Sequence, residues 1–173
     1  MTEAYVEVTA CRACRGPHLQ TILDLGTPVL SDFPLPEEPD PPRVPLDLVL
    51  CDSCRLVQLR HTTDPYRLYV KSYWYRSGVN DTMKAELADV VRKAVLMLGG
   101  VSRRHTVIDI GANDGTLLAC YISNGNKPTR VAFEPALSLN EALRPHADVL
   151  IPELFPHDLG AAAPKRGASV ITS

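Results

Sequence analysis

Two cysteine pairs with the same C-x2-C spacing constrain the fold of this 173-residue chain more than any other feature. Cys11 and Cys14 form the first pair, and Cys51 and Cys54 form the second. A gap of two residues lets both thiolates of a pair face one metal ion while the intervening amides turn toward the sulfurs, and four thiolates complete a tetrahedral zinc site. We therefore predict a structural zinc site that organises the N-terminal third of the chain.

The alternative is that the four cysteines form two disulfides or remain buried thiols. The N-terminus has no basic region followed by an apolar run, so no signal peptide is expected, and disulfides are rare in the cytosol. These observations favour zinc and predict a cytoplasmic protein. The fifth cysteine, Cys120, falls inside a predicted helix and is interpreted as an apolar core residue.

Composition excludes two classes of partner. The net charge is −2, the isoelectric point is near 6.2, and the charges are mixed along the chain, which does not favour nucleic-acid binding. No stretch reaches the roughly 20 apolar residues that a membrane-spanning helix needs, so no membrane association is expected. An apolar content of 45% is sufficient for hydrophobic cores.

The N-terminal part of the chain is predicted to consist of short strands and loops. The stretch 28–45 contains seven prolines, which remove amide donors and fix φ, so it is expected to be extended, edge-like chain. Alternating leucines at 46, 48 and 50, followed by an apolar run at 56–59, predict a hairpin that carries the second cysteine pair at its turn. We place a zinc-binding domain at residues 1–76.

The second part of the chain has helical and then α/β periodicity. Apolar residues at steps of three and four predict an amphipathic helix over 80–98, ended by Gly99 and Gly100. This helix is expected to bridge two domains or to cover a sheet, and the two roles are compatible. Segment 77–100 is therefore assigned to this helix and 101–173 to a Rossmann-like domain. Four buried parallel strands are predicted at 106–110, 130–133, 148–151 and 168–172, with helices at 116–122 and 138–143.

A small-residue turn between the first of these strands and its helix predicts a nucleoside site. Gly111 permits a sharp turn and close approach of a ligand, Gly115 permits close packing of the helix, and free amides at the helix start can meet an electronegative group. Glu134 follows at the end of the next strand, where a carboxylate can accept both ribose hydroxyls. The alternative is that the glycines only form a tight turn and that Glu134 is a solvated strand end.

The position of Asn113 separates two cofactor classes. The dinucleotide fingerprint has a second glycine at this position, so the asparagine disfavours binding of a pyrophosphate. Asp109 closes the strand, where its carboxylate can fix the turn or approach a positively charged ligand. S-adenosylmethionine has a ribose, a sulfonium cation and no pyrophosphate, so the sequence favours methyl transfer.

An ordered set of motifs resembles the sugar C-methyltransferases of deoxysugar biosynthesis, which have an N-terminal zinc-binding domain and a class I methyltransferase domain. The motifs are Cys-Arg-Ala-Cys at 11–14, Leu-Asp-Leu-Gly at 23–26, Cys-Asp-Ser-Cys-Arg-Leu-Val-Gln-Leu at 51–59, Tyr-Trp-Tyr-Arg-Ser at 73–77 and the glycine loop. The resemblance runs from Cys11 to the last residue. It implies a structural zinc ion and a nucleotide-linked keto-deoxysugar as substrate.

The resemblance also implies the residues of the cofactor site. We expect S-adenosylmethionine to be held by residues on three segments, namely Ser77, Asn80, Asp109, Gly111, Ala112, Asn113, Asp114, Gly115 and Glu134. A base removes the proton beside the ketone, and the resulting enolate attacks the methyl group of the sulfonium. Tyr75 is the candidate catalytic residue, bonded to the sugar or the developing enolate, although packing between domains explains this aromatic residue equally well.

The chain departs from the family pattern at its C-terminal end. The histidine-bearing segment that supplies the family's base lies beyond the fourth strand, and none of the five histidines here obviously replaces it. Four strands would leave the sheet with an exposed edge. We therefore expect a fragment, or a chain completed by a partner, with no methyltransferase turnover alone.

Two other readings remain open at this stage. One is a zinc-ribbon binding module whose second half docks a nucleoside or a protein without catalysis. The other is a dehydrogenase-like nucleotide binder, which Asn113 disfavours.

Overall fold

The computed structural model describes residues 4–30, 36–37, 39–70, 73–122, 127–157 and 167–173. The chain divides into two compact units, Met1–Tyr73 (unit 1) and Trp74–Ser173 (unit 2). Each unit has its own sheets. The predicted mixed α/β class is confirmed, with a cysteine cluster in unit 1 and a parallel sheet in unit 2.

Unit 1 is built from two small antiparallel sheets. Its elements are β1 (Tyr5–Glu7), β2 (Leu19–Asp24), β3 (Asp47–Cys51), β4 (Val57–Leu59), β5 (His61–Thr63) and α1 (Pro65–Tyr69). Strands β1 and β5 form a two-stranded sheet. Strands β2, β3 and β4 form a three-stranded sheet in that order. The hairpin of β3 and β4 carries the second cysteine pair at its turn, which confirms the prediction. In the proline-rich stretch an isolated bridge pairs Val29 with Arg43, while residues 31–35 and 38 lie outside the described residues.

The described part of unit 1 buries few apolar side chains. The buried residues there are Cys11, Val44, Val49, Cys51 and Gln58. Several large apolar side chains of its three-stranded sheet are exposed, namely Ile22, Leu23, Val57 and Leu59. Because so small a domain rarely holds its fold by hydrophobic burial alone, a cross-link at the cysteines is needed for stability.

Unit 2 begins with the predicted amphipathic helix, α2 (Asp81–Met97). The Asn80 side chain caps it by accepting hydrogen bonds from the amides of Thr82 (2.8 Å) and Met83 (3.4 Å), because those amides have no partner inside the helix. The helix ends before Gly99, whose φ is +68°. The start and end predicted from sequence are thus confirmed.

The sheet of unit 2 has four parallel strands in the order β8-β7-β6-β9, with bounds β6 Thr106–Ile110, β7 Thr129–Phe133, β8 Val149–Ile151 and β9 Val170–Thr172. All four lie where the sequence predicts strands. Taken in chain order this arrangement is 3-2-1-4, which is the order in one part of a Rossmann-like sheet. The order in which strands are added to the sheet reverses between β6 and β9, and ligands of such sheets bind at the carboxyl ends of the strands near this point.

Both clusters of buried apolar side chains among the described residues lie in unit 2. One face of the sheet packs against Val91 of α2 and against the two side chains Leu118 and Tyr121. The helix therefore covers the sheet, as one of the two interpretations of its apolar face predicts. Cys120 packs partly buried against the same cluster, and burial raises the pKa of its thiol, in agreement with a core role.

The helices after the glycine loop are shorter than predicted. The segment predicted as a helix over 116–122 is helical only over α3 (Thr116–Ala119), after which the amides of Cys120 and Tyr121 bond carbonyls three residues back, as in a 3-10 turn. The segment predicted as a helix over 138–143 begins as a 3-10 turn, Leu137–Leu139, and becomes α-helical over α4 (Asn140–Leu143).

Within the described ranges, the structure contains no helix whose length and apolarity would let it cross a membrane.

A polar cluster ties β7 to β8 in unit 2. The backbone amide of Arg130 donates to Asp148 Oδ2 (2.9 Å), and its buried guanidinium donates to both oxygens of the same carboxylate (3.3 Å each). Lys127 Nζ adds a fourth donor at 2.9 Å. Burial acts to raise the pKa of Asp148, but the bonds from Arg130 and Lys127 outweigh it and lower the pKa to about 2.

We predict that Asp148→Asn lowers the free energy of unfolding of unit 2 by about 2 kcal/mol, because the buried guanidinium of Arg130 loses its counter-ion. The carboxyl group has a lower pKa in the folded than in the unfolded chain. Its contribution is therefore present above about pH 4 and is lost as the pH falls toward 2. Urea unfolding at several pH values measures this difference between wild type and variant.

Asp89→Asn is the matched control, since Asp89 pairs with Arg92 and Lys93 on the surface of α2. Exposed pairs contribute little, so we expect a much smaller change. Equal losses in the two variants, or a difference that does not shrink in acid, would contradict the assignment of Asp148.

Candidate functional site

The four paired cysteines lie together in unit 1. The distances from Cys11 Sγ to Cys54 Sγ and from Cys14 Sγ to Cys51 Sγ are both 3.6 Å, and all four sulfurs lie within 4.8 Å of one another. A tetrahedral site with Zn–S bonds of about 2.3 Å requires sulfurs about 3.8 Å apart. The donor set and its spacing therefore fit zinc, and none of the four sulfurs forms a disulfide.

The two cysteine pairs repeat one backbone turn. In the first, the amide of Arg15 donates to the carbonyl of Cys11 (3.0 Å), and in the second the amide of Arg55 donates to the carbonyl of Cys51 (2.9 Å). Both arginines have φ near +60°, at 62° and 64°. The residue after each left-handed arginine turns its amide toward a sulfur, Gly16 toward Cys14 (3.4 Å) and Leu56 toward Cys54, and the C-x2-C spacing alone does not reveal this.

The electrostatics of the four thiols also favour a cation. The backbone amide of Cys14 bonds the sulfur of Cys11 and lowers the pKa of that thiol to about 6. The amide of Leu56 acts to lower the pKa of Cys54, but the neighbouring groups of Cys14 and Cys11 outweigh it and raise the pKa to about 12. The protein alone thus favours the thiolate form of Cys11 and disfavours that of Cys54. A bound metal ion is needed to stabilise four thiolates at once.

We predict that the purified chain contains about one zinc ion per molecule and that Cys51→Ser removes it, because three thiolates bind zinc far more weakly than four. Elemental analysis gives the stoichiometry. Chelation is expected to expose residues 11–69 to trypsin while unit 2 stays protected.

Cys120→Ser is the matched control, since this thiol lies outside the cluster and bonds the carbonyl of Thr116. It should retain the metal. Full zinc content in Cys51→Ser, or none in the wild type, would contradict the site.

The glycine loop lies at the carboxyl end of β6 in unit 2. Gly111 has a φ of +71° with open space beside its Cα, so its backbone is accessible to a ligand. Gly115 has a φ of +81°, and a Cβ there would lie 2.8 Å from His146 Cβ and 2.9 Å from Leu143 Cδ1. The close packing predicted for Gly115 is therefore confirmed.

Every backbone amide from Gly111 to Thr116 donates a hydrogen bond within the protein. Those of Gly111 and Ala112 reach the carbonyl of Phe133 at 2.8 and 3.0 Å. The four that follow reach Glu134 Oε2, Asn113 Oδ1, the carbonyl of Ala112 and Asp114 Oδ1, at distances of 2.7, 2.9, 2.9 and 3.2 Å. The loop therefore uses these six amides for its own turns, and the expectation that amides at the helix start meet an electronegative group stays a prediction.

Two backbone amides orient the carboxylate of Glu134 at the end of β7. Its Oε2 accepts the Asn113 amide (2.7 Å), and its Oε1 accepts the Ala136 amide (2.8 Å). The residue is only 4% exposed, and burial raises the pKa of its carboxyl although both amide bonds act in the opposite direction. Each oxygen keeps a further lone pair, so the oriented carboxylate can still accept hydroxyl donors.

Asp109 lies at the point where the strand order reverses. Its Oδ1 accepts the hydroxyl of Thr172 on β9 at 2.6 Å. Burial raises the pKa of this carboxyl, and the charge of Glu134 raises it further. Two buried carboxyl groups thus lie close enough to interact, and a cation beside them would relieve their repulsion. Sequence reasoning did not identify Thr172, because its pairing with Asp109 depends on β9 lying next to β6.

The side chains of Asn113 and Asp114 reach back to the segment before α2. Asn113 Oδ1 accepts the Ser77 amide (2.9 Å), and its Nδ2 donates to the carbonyl of Tyr75 (2.9 Å). Asp114 Oδ2 accepts the amide of Gly78 at 2.8 Å. The structure thus brings the predicted residues Tyr75 and Ser77 to the glycine loop.

The remaining predicted cofactor residues lie in two places. Ala112 is buried inside the loop, whereas the Asn80 side chain is engaged in capping α2. The assignment of these residues to a cofactor stays a prediction. The bonds from Asn113 and Asp114 to the 75–79 segment were missed from sequence, because a separation of more than 30 residues gives no periodic signal.

Known proteins are similar to this chain in two ways. Residues 11–69 match a family described as "Putative zinc binding domain". The C-methyltransferase NovU of Streptomyces niveus is 25% identical over 158 residues. That match covers 88% of this chain and 36% of the relative, so the chain spans about a third of the length of that protein.

These two findings confirm the resemblance that the motifs predict. The zinc-binding match includes all four clustered cysteines, and the methyltransferase match extends over most of unit 2 as well. The chain is similar to the N-terminal part of the sugar C-methyltransferase family, with a zinc-binding domain at residues 11–69.

Proposed function

We propose that this chain is the N-terminal part of an S-adenosylmethionine-dependent C-methyltransferase. Unit 1 holds a structural zinc ion, and unit 2 binds the cofactor at the carboxyl ends of β6 and β7. The substrate is a nucleotide-linked keto-deoxysugar. The similarity to a C-methyltransferase supports the reaction class, and the site in unit 2 supports the cofactor.

The observation that carries this proposal is a glycine loop whose amides are all hydrogen-bonded within the protein, next to the oriented carboxylate of Glu134. A dinucleotide places its pyrophosphate on free amides of such a loop, and the amides from Gly111 to Thr116 are all engaged. Glu134 remains able to accept ribose hydroxyls. A nucleoside cofactor without a pyrophosphate suits this combination, which disfavours the dehydrogenase-like alternative.

The charge of the site supports a cationic cofactor. Asp109 and Glu134 are 5% and 4% exposed, and the pKa of each carboxyl is raised by burial. A positive sulfonium bound nearby would favour their ionised forms, and the ionised carboxylates would favour the cation in return. S-adenosylhomocysteine, which lacks this charge, is expected to bind more weakly than S-adenosylmethionine.

The proposed chemistry is attack of an enolate carbon on the methyl group. A base removes the proton from the carbon beside the ketone, the carbon–methyl bond forms, and the sulfur–methyl bond breaks with its electron pair returning to sulfur. Tyr75, which is 39% exposed, is proposed to bond the sugar or the enolate oxygen. We propose that the base belongs to the segment that follows the fourth strand in the family, and that this chain alone binds the cofactor without methylating a sugar.

We predict that Glu134→Gln weakens S-adenosylmethionine binding about 10- to 100-fold, because a charge-assisted pair of hydrogen bonds to the ribose is lost. Isothermal titration of the purified chain measures the affinity, and thermal unfolding checks that the variant is folded. Glu86→Gln, which changes an exposed glutamate on α2, is the matched control and should bind like wild type.

Titration with NAD tests the dehydrogenase-like alternative. Binding of NAD in preference to S-adenosylmethionine, or equal S-adenosylmethionine affinities in both glutamate variants, would contradict the proposed cofactor site. Methylated sugar formed by the isolated chain would contradict the proposal that the base lies elsewhere.

A further inference from the structure

We propose that Asn113 and Asp114 are positioning residues, which hold residues 75–79 on the glycine loop so that binding of cofactor and the position of Tyr75 are coupled. The part that concerns coupling rests on the proposed function. The part that concerns holding rests on the hydrogen bonds within unit 2. In this proposal the side chains of Asn113 and Asp114 position residues 75–79 and do not contact the cofactor directly.

The bonding capacity of Asn113 is used almost entirely by the protein. Its backbone amide donates to Glu134, its Oδ1 accepts the Ser77 and Asp114 amides, and its Nδ2 donates to the Tyr75 carbonyl. The residue is 8% exposed and has a φ of +55°, a conformation that asparagine tolerates better than most residues. Glycine would permit the same turn but would leave the amide and carbonyl of the 75–79 segment without these partners.

Asp114 and Gly78 form the second contact. The carboxylate accepts the amide of Gly78 and, through its other oxygen, the amide and hydroxyl of Thr116, the hydroxyl at 2.6 Å. A Cβ on Gly78 would lie 2.6 Å from Thr116 Oγ1 and 2.8 Å from Asp114 Oδ2. A larger residue at this position would therefore have to displace the side-chain oxygens of Thr116 and Asp114.

Coupling follows from the place of these bonds in the loop. The Asn113 residue that bonds Glu134 through its backbone also holds Tyr75 through its side chain. A ligand that fixes Glu134 and the loop should also restrict the 75–79 segment, and fixing the segment should strengthen binding of the ligand by the same factor. Tyr75 would then be delivered to the site only when the loop is properly formed.

Asn113→Asp tests the holding role with little change of shape. The variant keeps an acceptor for the Ser77 amide, but it places a carboxylate oxygen against the Tyr75 carbonyl, so the bond becomes a repulsion. Arg76 is exposed within the segment, so trypsin cleavage after it reports release of the segment. Without ligand, we expect cleavage about tenfold faster than in wild type, in line with the loss of one buried hydrogen bond.

Two further variants make this test specific. Gly78→Ala should increase the same cleavage, because it separates the segment from an unchanged Asn113. Glu86→Gln removes a charge from an exposed side chain of α2 in the same unit, so its cleavage should equal that of wild type. Equal cleavage in wild type and Asn113→Asp would overturn the holding role.

Trp74, the single tryptophan of the chain, provides the test of coupling. Saturating S-adenosylmethionine should slow cleavage after Arg76 and shift the Trp74 emission in wild type and Glu86→Gln, and should do neither in Asn113→Asp. If wild type binds S-adenosylmethionine by calorimetry while both signals stay unchanged, the coupling is overturned. If wild type binds none, the proposed function is overturned as well, whereas the ligand-free cleavage rates still decide the holding role.

Discussion

The buried carboxylate of Glu134 organises the site in unit 2. It accepts one amide from the glycine loop, at Asn113, and one from the chain after its own strand, at Ala136. These bonds join the carboxyl ends of β6 and β7 and orient the carboxylate despite its burial. The other amides from Gly111 to Thr116 are also bonded within the protein, so they are not free donors for a ligand, although open space lies beside Gly111.

Unit 1 meets a different physical problem. Its described residues bury few apolar side chains, and two of the buried residues are cysteines of the cluster. A metal ion bound by the four clustered thiols would cross-link this unit and so compensate for its small hydrophobic core. The chain thus uses two ways of holding a shape: metal ligation in unit 1, and a parallel sheet covered by α2 in unit 2.

Much of this organisation could be predicted from local patterns. The cysteine spacing predicted the cluster, the steps of three and four residues predicted α2, and four short apolar runs predicted the strands of the parallel sheet. The predicted helix after the loop is longer than the observed one. Apolar residues beyond Ala119 continue the helical spacing, but they pack into the core in a conformation that is not α-helical. Periodicity reports which side chains are buried and does not by itself report backbone geometry.

The sequence by itself determined the ligands that can meet a metal, the strand–glycine–helix order of the loop and the acid after the next strand. Only the tertiary structure decided how the donors of the loop are used. Asn113 and Asp114 bond a segment more than 30 residues away, and Asp109 meets Thr172 across adjacent strands. The physical reason is that a hydrogen bond depends on distance in space, which local sequence patterns specify only within a helix, a strand or a turn.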